Sequence, residues 1–209
     1  MGVRHRRGRP LTRRTATRDE LRTIVLFCEG VNTEPDYFKA VKKLPTVRSR
    51  TSVRIELDPE HGAPVHLVRC AVERLRDEEV DECWCVFDVE WPQNHPNLEE
   101  AVKLAEEHGV GLAISNPCFE LWLILHHRPH TAFLDNRGAQ RDCRALGGID
   151  GKRIDAEAVY MPLRQHAVRR AEQLTRRHVD NRVAFPADNP SSSVFRLMRA
   201  LEPPDSTVV

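Results

Sequence analysis

Three carboxylates follow short apolar runs of the sequence and could together hold a divalent cation. Glu29 follows the run at residues 21–28, and Asp88 and Glu90 follow the run at residues 83–87. Asp88 and Glu90 are two positions apart, so on an extended backbone their side chains project to the same side. Crowded carboxylates repel one another, and Mg²⁺ or Mn²⁺ would relieve that repulsion through oxygen ligands. A cation held there could clamp phosphate oxygens and activate a water molecule.

A simpler interpretation is open for the same residues. Acids at strand ends can stabilise the dipoles of the helices that follow them, without any metal. His95 lies in the loop after the acid pair and could shuttle protons, although an ordinary surface histidine is the simpler interpretation. The sequence has neither a Gly-x-Gly-x-x-Gly motif after its first apolar run nor a Walker lysine motif, which disfavours dinucleotide and P-loop sites.

Alternating strands and helices would position these acids. The pattern predicts strands at residues 21–28, 51–57, 83–87 and 110–115. It predicts intervening helices from Thr33 onward and at residues 64–76, 98–107 and 118–126, the last one buried and begun by Asn116 as cap. Such alternation indicates an α/β fold with a mostly parallel, four-stranded, Rossmann-like sheet. Ligands of such sheets bind at the carboxyl ends of the strands, where the three acids lie.

The chain divides into four segments by composition. Residues 1–18 form a basic arm, residues 19–127 the α/β core, residues 128–202 a helical segment packed on that core, and residues 203–209 a tail. Within the helical segment the spacing of apolar residues predicts helices at 140–146 and 156–177 and a last helix that starts at Asn189-Pro190.

Charge is unevenly distributed along the 209 residues. The arm contains arginines and no acid: Arg4, Arg6, Arg7, Arg9, Arg13, Arg14 and Arg18. The chain has 32 basic and 31 acidic side chains, so without these seven arginines the remainder carries a net charge of −6. Such an arm is predicted to be disordered when free and to bind the phosphates of DNA or RNA. A solubilising tail is the alternative.

Composition excludes several classes of protein. Hydrophobic residues make up 40% and charged residues 30%, as in ordinary globular domains. Apolar runs such as residues 121–125 fall far short of the roughly 20 residues that span a membrane. The basic start is not followed by the apolar stretch of a signal peptide. The expectation is a cytoplasmic protein with no membrane partner, whose six cysteines are reduced.

Several motifs resemble one family across nearly the whole chain. They are CEG at residues 28–30, TEP at 33–35, FD at 87–88, ISNPCFELW at 114–122 and NP at 189–190. In these motifs the chain resembles the RloB-like family of bacterial proteins, which is linked to restriction-modification and phage-defence loci. The family looks like a variant of the TOPRIM fold, in which a strand-one glutamate and a later Asp-x-Asp bind Mg²⁺ for phosphoryl transfer on nucleic acid.

The resemblance implies roles for particular residues. Glu29 corresponds to the strand-one glutamate, a metal ligand or general acid/base, and Asp88 to the first aspartate of the pair. Glu90 stands where the second aspartate is expected and is one methylene longer, which alters the metal geometry. Asn116 and Glu120 belong to the family's own signature and could support a phosphate at a helix N-terminus, as could Glu34.

The function implied is a Mg²⁺-dependent, TOPRIM-like nuclease in phage defence. The main alternative is a catalytically inactive, metal- or nucleotide-binding regulatory module of a defence complex. A purely structural interaction protein that uses the C-terminal helices is a third. A defence-system protein partner and a homodimer are compatible with all three.

Overall fold

A five-stranded sheet organises the chain. The computed structural model describes residues 22–48, 53–147, 149–150 and 153–202. The strands of the main sheet are β1 (Arg22–Cys28), β2 (Val53–Leu57), β3 (Glu82–Asp88), β4 (Gly111–Asn116) and β7 (Ser191–Ser192). The predicted arm at residues 1–18 and the tail at 203–209 lie outside the described residues, and the segment boundaries stay predictions.

The predicted α/β class and the mostly parallel sheet are confirmed, but the strand count was wrong. The order is β2-β1-β3-β4-β7, and the first four strands are parallel. The fifth strand, β7, is antiparallel to β4 and pairs Ser115 with Ser192. Two serines give no apolar alternation, so the sequence pattern carried no signal for this strand.

The strand β1, which pairs with β2 on one side and β3 on the other, has apolar side chains on both faces. Ile24 and Leu26 belong to the core on one side of the sheet, and Val25 and Phe27 belong to the core on the other side. A strand buried on both faces reads as a continuous apolar run, which is why this strand was predictable.

Helices cover both faces of the sheet. They are α1 (Thr33–Lys43), α2 (Pro45–Arg48), α3 (Pro64–Arg74), α4 (Leu98–His108), α5 (Phe119–His127), α6 (Asn136–Ala145), α7 (Arg164–Asp180) and α8 (Val194–Leu201). Residues of α3 and α4 share one core cluster, and residues of α1, α5, α7 and α8 share the other. As expected from its sequence, α5 is buried nearly all round. None of the helices described here is long and apolar enough to cross a membrane.

The C-terminal segment departs from the predicted helices in two places. The predicted helix at 156–177 is broken into a π-helical turn (Ala156–Tyr160), a 3₁₀ turn (Met161–Leu163) and α7. Pro162 explains the break, because it has no N–H to donate and crowds the preceding turn. The last helix begins at Val194 rather than at Asn189-Pro190, because residues 191–192 pair with β4 as a strand.

Two smaller features complete this segment. The helix predicted at 140–146 begins earlier, as α6, where the Asp135 side chain accepts a hydrogen bond from the Gly138 N–H at 2.7 Å. A small antiparallel pair consists of β5 (Ile149–Asp150) and β6 (Arg153–Ile154).

Candidate metal centre

Glu29 lies where β1 and β3 end side by side. Its backbone N–H donates to the Val86 carbonyl at 2.9 Å, which continues the ladder between the two strands. Its carboxylate Oε2 accepts a hydrogen bond from the backbone N–H of Asp88 at 2.9 Å. The expectation that the acids of strands one and three meet at one edge is therefore met for Glu29 and the end of β3.

His95 completes a group of three donor side chains at this edge. Glu29, Glu90 and His95 each offer one ligand atom, and these atoms lie within 4.8 Å of one another. His95 Nε2 contacts the Glu29 carboxylate and lies 3.9 Å from Glu90 Oε1. The His95 backbone N–H donates to the Val89 carbonyl at 3.1 Å, which folds the loop back over the strand end. In the sequence, the one indication that His95 belongs to this site is its position in the loop after Asp88 and Glu90.

Glu90 does not have the extended backbone that was predicted from its position after β3. Its φ is +65°, in the left-handed region that is uncommon for glutamate. Its N–H donates to the Pro117 carbonyl at 2.8 Å, so the chain turns there instead of continuing β3. The inference that Asp88 and Glu90 project to the same side of an extended strand was therefore wrong. Glu90 approaches His95, whereas Asp88 faces other acids.

Asp88 is surrounded by carboxylates at the start of α5. Burial raises the pKa of its carboxyl group well above the usual range, and the negative charges of Glu34, Glu29 and Glu120 raise that pKa further. A hydrogen bond from the Phe119 backbone N–H, at the helix N-terminus, opposes the shift. Such crowding without a compensating positive charge is what a bound cation would relieve.

Glu34 is a buried acid of this group, with 7% of its surface exposed. Desolvation by burial raises its pKa to about 7, and the nearby charges of Glu120 and Glu29 act in the same direction. Gly30 makes this placement feasible, because a Cβ atom at Gly30 would collide with the Glu34 carboxylate. Burial also raises the pKa of Glu29, although the Asp88 N–H and His95 oppose that shift.

Asn116 is engaged away from the acids. It is the last residue of β4 rather than a helix cap, and Cys118 precedes the first residue of α5. Its Nδ2 donates to the Pro186 carbonyl at 2.9 Å and to Asp188 Oδ1 at 3.1 Å. The predicted capping role was wrong, because these bonds tie β4 to the segment before β7. The phosphate-supporting role stays a prediction.

An exposed aromatic pair adjoins the acids. Trp91 directly follows Glu90 and is 41% exposed, and Phe133 is 59% exposed. Their rings meet edge to face with centroids 5.4 Å apart. The Trp91 backbone N–H donates to Asn136 Oδ1 at 3.1 Å, which ties this loop to the start of α6. The pair offers an exposed apolar ring surface, and Trp91 of this pair directly follows Glu90 in the chain.

The donor set fits a hard or borderline divalent cation. Glu29 and Glu90 supply carboxylate oxygens and His95 supplies an imidazole nitrogen, which suits Mn²⁺. Mg²⁺ fits the carboxylates if waters complete its shell. The raised pKa values of Glu29, Glu34 and Asp88 give a reason for such a cation to bind, because it would supply the missing positive charge.

Fold and site together define an α/β protein with a mostly parallel sheet and an acidic cluster at its carboxyl edge. The family model described as RloB-like protein matches residues 24–201, a stretch that contains every acid of this cluster. The chain therefore belongs to the RloB-like family, as its motifs suggested. Among curated proteins and solved structures, none matches the chain.

Proposed function

We propose that this RloB-like protein is a Mg²⁺- or Mn²⁺-dependent nuclease that hydrolyses phosphodiester bonds of nucleic acid. The observation that carries the proposal is the convergence of Glu29, Glu90 and His95 within 4.8 Å at the carboxyl edge of a parallel sheet. Carboxylates that crowd at such an edge are suited to a divalent cation and, through it, to a phosphate group.

The side chains of the cluster would have two roles, cation binding and proton transfer. A divalent cation at this edge would supply Lewis acidity and a lowered pKa for a bound water. Glu29, Glu90 and His95 Nε2 would bind that cation. With a pKa of about 7, Glu34 can release or accept a proton near neutral pH and would buffer the charge of the cluster.

Two features favour nucleic acid as the substrate. The arm with its seven arginines, which lies outside the described residues, would supply contacts to the phosphate backbone. Trp91, which directly follows Glu90, and Phe133 expose their rings and could stack on an unpaired base. The resemblance to the TOPRIM fold and the family's link to phage-defence loci support a cytoplasmic defence role, with a further defence protein as partner.

A second candidate is a regulatory module that binds a metal or a nucleotide without turnover. Glu90 favours it, because it stands where the second aspartate of the TOPRIM pair is expected and its left-handed backbone separates it from Asp88. The two candidates share the same binding residues. They differ only in whether the bound phosphate is cleaved.

A cleavage assay with matched variants tests the proposal. The purified chain is incubated with labelled single- and double-stranded DNA and RNA in Mg²⁺, Mn²⁺ or Ca²⁺. We expect cleavage with Mn²⁺ or Mg²⁺ that falls about 100-fold or more in Glu29→Gln. Glu106→Gln, an exposed acid on α4, is the control and should cleave like the wild type. Equal cleavage by Glu29→Gln would overturn the proposal, and metal binding without any cleavage would favour the regulatory module.

A further inference from the structure

A second group of ligand-type side chains lies outside the acidic cluster. Glu60, His66 and Cys70 each offer one donor atom, and the three atoms lie within 4.8 Å of one another. His66 Nε2 is 3.4 Å from Glu60 Oε2 and 3.6 Å from Cys70 Sγ. A single ring nitrogen thus faces both partners. A neutral imidazole has one proton at most on that nitrogen, so it cannot donate to both.

Two distances among these atoms, both measured from His66 Nε2, match the edges of a tetrahedral zinc site. Zinc binds His nitrogen at about 2.0–2.1 Å, carboxylate oxygen at about 2.0–2.2 Å and cysteine sulfur at about 2.3 Å. At tetrahedral angles these lengths give an N–O edge of about 3.4 Å and an N–S edge of about 3.6 Å. The two distances from His66 Nε2 agree with both edges.

The local sequence builds this geometry from one helix and the loop before it. His66 and Cys70 are four residues apart on α3 and therefore lie on the same face of the helix. Gly62 has a φ of +141°, a conformation that favours glycine, and a Cβ there would lie 3.2 Å from His66 Cδ2. The loop can thus return closely over His66, which places Glu60 beside the ring.

Cys70 differs from the other cysteines of the chain. The remaining five are buried, whereas Cys70 is half-exposed and accessible to a metal. A mixed set of one thiolate, one imidazole and one carboxylate selects a borderline cation such as Zn²⁺ over the hard Mg²⁺. The set is chemically distinct from the oxygen-rich cluster around Glu29.

We propose that Glu60, His66 and Cys70 form a zinc site whose fourth position is open to water or another ligand. The site would fix the loop between β2 and α3. His61, the neighbour of Glu60, contacts the carbonyl of Cys28 through Nδ1 at 3.0 Å, and Cys28 directly precedes Glu29. Zinc would thereby also steady the strand end that carries Glu29. The zinc site does not depend on nuclease activity.

Cobalt substitution tests the site, because Co²⁺ reports its ligands by colour. We expect Co²⁺ to give the wild type a thiolate-to-cobalt charge-transfer band, and we expect that band to disappear when Zn²⁺ is added. The band should vanish in Cys70→Ser and in His66→Ala. It should persist in Glu29→Gln, which removes a ligand of the other cluster, and in His108→Ala, an exposed histidine at the end of α4.

The cobalt spectra either support or overturn the zinc site. No charge-transfer band in the wild type, or a band that survives Cys70→Ser, would overturn the zinc site. Circular dichroism of the metal-free variants checks that each one is folded. Substitutions at exposed or half-exposed side chains should leave the fold unchanged. A thermal unfolding midpoint that rises with Zn²⁺ in the wild type but not in Cys70→Ser would give independent support.

Discussion

The two ends of helix α5 show two opposite ways of burying a titratable group. At its start, Asp88 faces Glu34, Glu29 and Glu120, and burial raises the pKa of its carboxyl group. At its end, His126 is 1% exposed, and burial lowers the pKa of its imidazole to about 3. Burial disfavours the charged form at both ends, but the two surroundings are built differently.

The surroundings of His126 satisfy both of its ring nitrogens. Its Nδ1 lies 2.9 Å from the Trp122 carbonyl, which can only accept, so Nδ1 carries the proton. Its Nε2 then accepts from the Tyr37 hydroxyl at 3.1 Å. The rings of Tyr37, Trp122 and Tyr160 pack edge to face around the imidazole. Both nitrogens of the buried imidazole are therefore paired within the protein.

The acidic cluster lacks that balance. Its carboxylates raise one another's pKa values, and the compensating hydrogen bonds from backbone N–H groups do not remove the shifts. Residues that remain crowded in this way are typical of functional sites, where a ligand supplies the missing charge. The comparison therefore supports a structural role for the end of α5 and the proposed binding role for its start.

The largest expected difference is in stability. Trp122→Ala removes a fully buried ring from the aromatic cluster and should lower the free energy of unfolding by about 3–5 kcal/mol. Trp91→Ala is the matched control at the exposed ring, and it should change that free energy by about 0.5 kcal/mol or less. Urea unfolding of both variants measures the difference. Equal losses would contradict the division of roles.

Glu34→Gln should stabilise the metal-free protein at pH 7.5. The native pKa of about 7 exceeds the ordinary 4.5, so stability falls as pH rises from about 4.5 to 7. Glutamine keeps the shape and removes the charge, and the gain should be about 3 kcal/mol, as expected when the pKa is raised from 4.5 to about 7. Chemical unfolding in a chelator measures it. A loss of stability would show that the ionised carboxylate is already compensated without metal.

His126→Gln should remove a decline in stability toward low pH. The native pKa of about 3 lies below the ordinary 6.5, so protonation of the unfolded chain lowers stability as pH falls from about 6.5 toward 3. The slope is about 1.4 kcal/mol per pH unit for one proton. Between about pH 4.5 and 6.5 this slope opposes that of Glu34.

Unfolding free energies at several pH values separate the two groups. Relative to the wild type, His126→Gln should lose the decline toward low pH, and Glu34→Gln should lose the decline toward neutral pH. Variants with unchanged slopes would refute the pKa directions assigned to the two ends of α5.

The smallest expected effect is that of Tyr37→Phe. The change removes the hydroxyl that His126 Nε2 accepts from but keeps the buried ring. Loss of one buried hydrogen bond should cost about 1 kcal/mol, since the imidazole nitrogen is left unpaired. Differential scanning calorimetry measures it. Metal-dependent cleavage should be unchanged, and a loss of cleavage would link the aromatic cluster to the site.

The sequence predicted most of the parallel sheet because its strands are apolar runs that end in polar residues. The acids at the ends of β1 and β3 could be located in the same way. The strand β7 was missed because two serines have no apolar pattern, and Pro162 broke a helix whose apolar spacing looked continuous. These features depend on hydrogen bonds between distant segments or on one proline within a periodic run.

The composition of the site was less predictable than its place. His95 contacts Glu29 from a loop that begins with the left-handed backbone of Glu90, and no pattern in the sequence encodes that turn. Glu34 was a candidate site residue only because of the family resemblance. The structure adds a physical reason for its place in the site, because the absence of a Cβ atom at Gly30 leaves room for its buried carboxylate. The His66 and Cys70 pair at helical spacing was a usable signal, but Glu60 joins it only through the loop.

Isothermal titration of Mn²⁺ into Cys70→Ser, a background without the proposed zinc site, tests the central claim most directly. The claim is that the acids at the carboxyl edge bind a divalent cation. We expect one Mn²⁺ per chain in Cys70→Ser and an affinity at least about 10-fold weaker after Glu29→Gln is added. The same added change at Glu106 should leave binding intact. Equal Mn²⁺ binding with and without Glu29→Gln would contradict the claim.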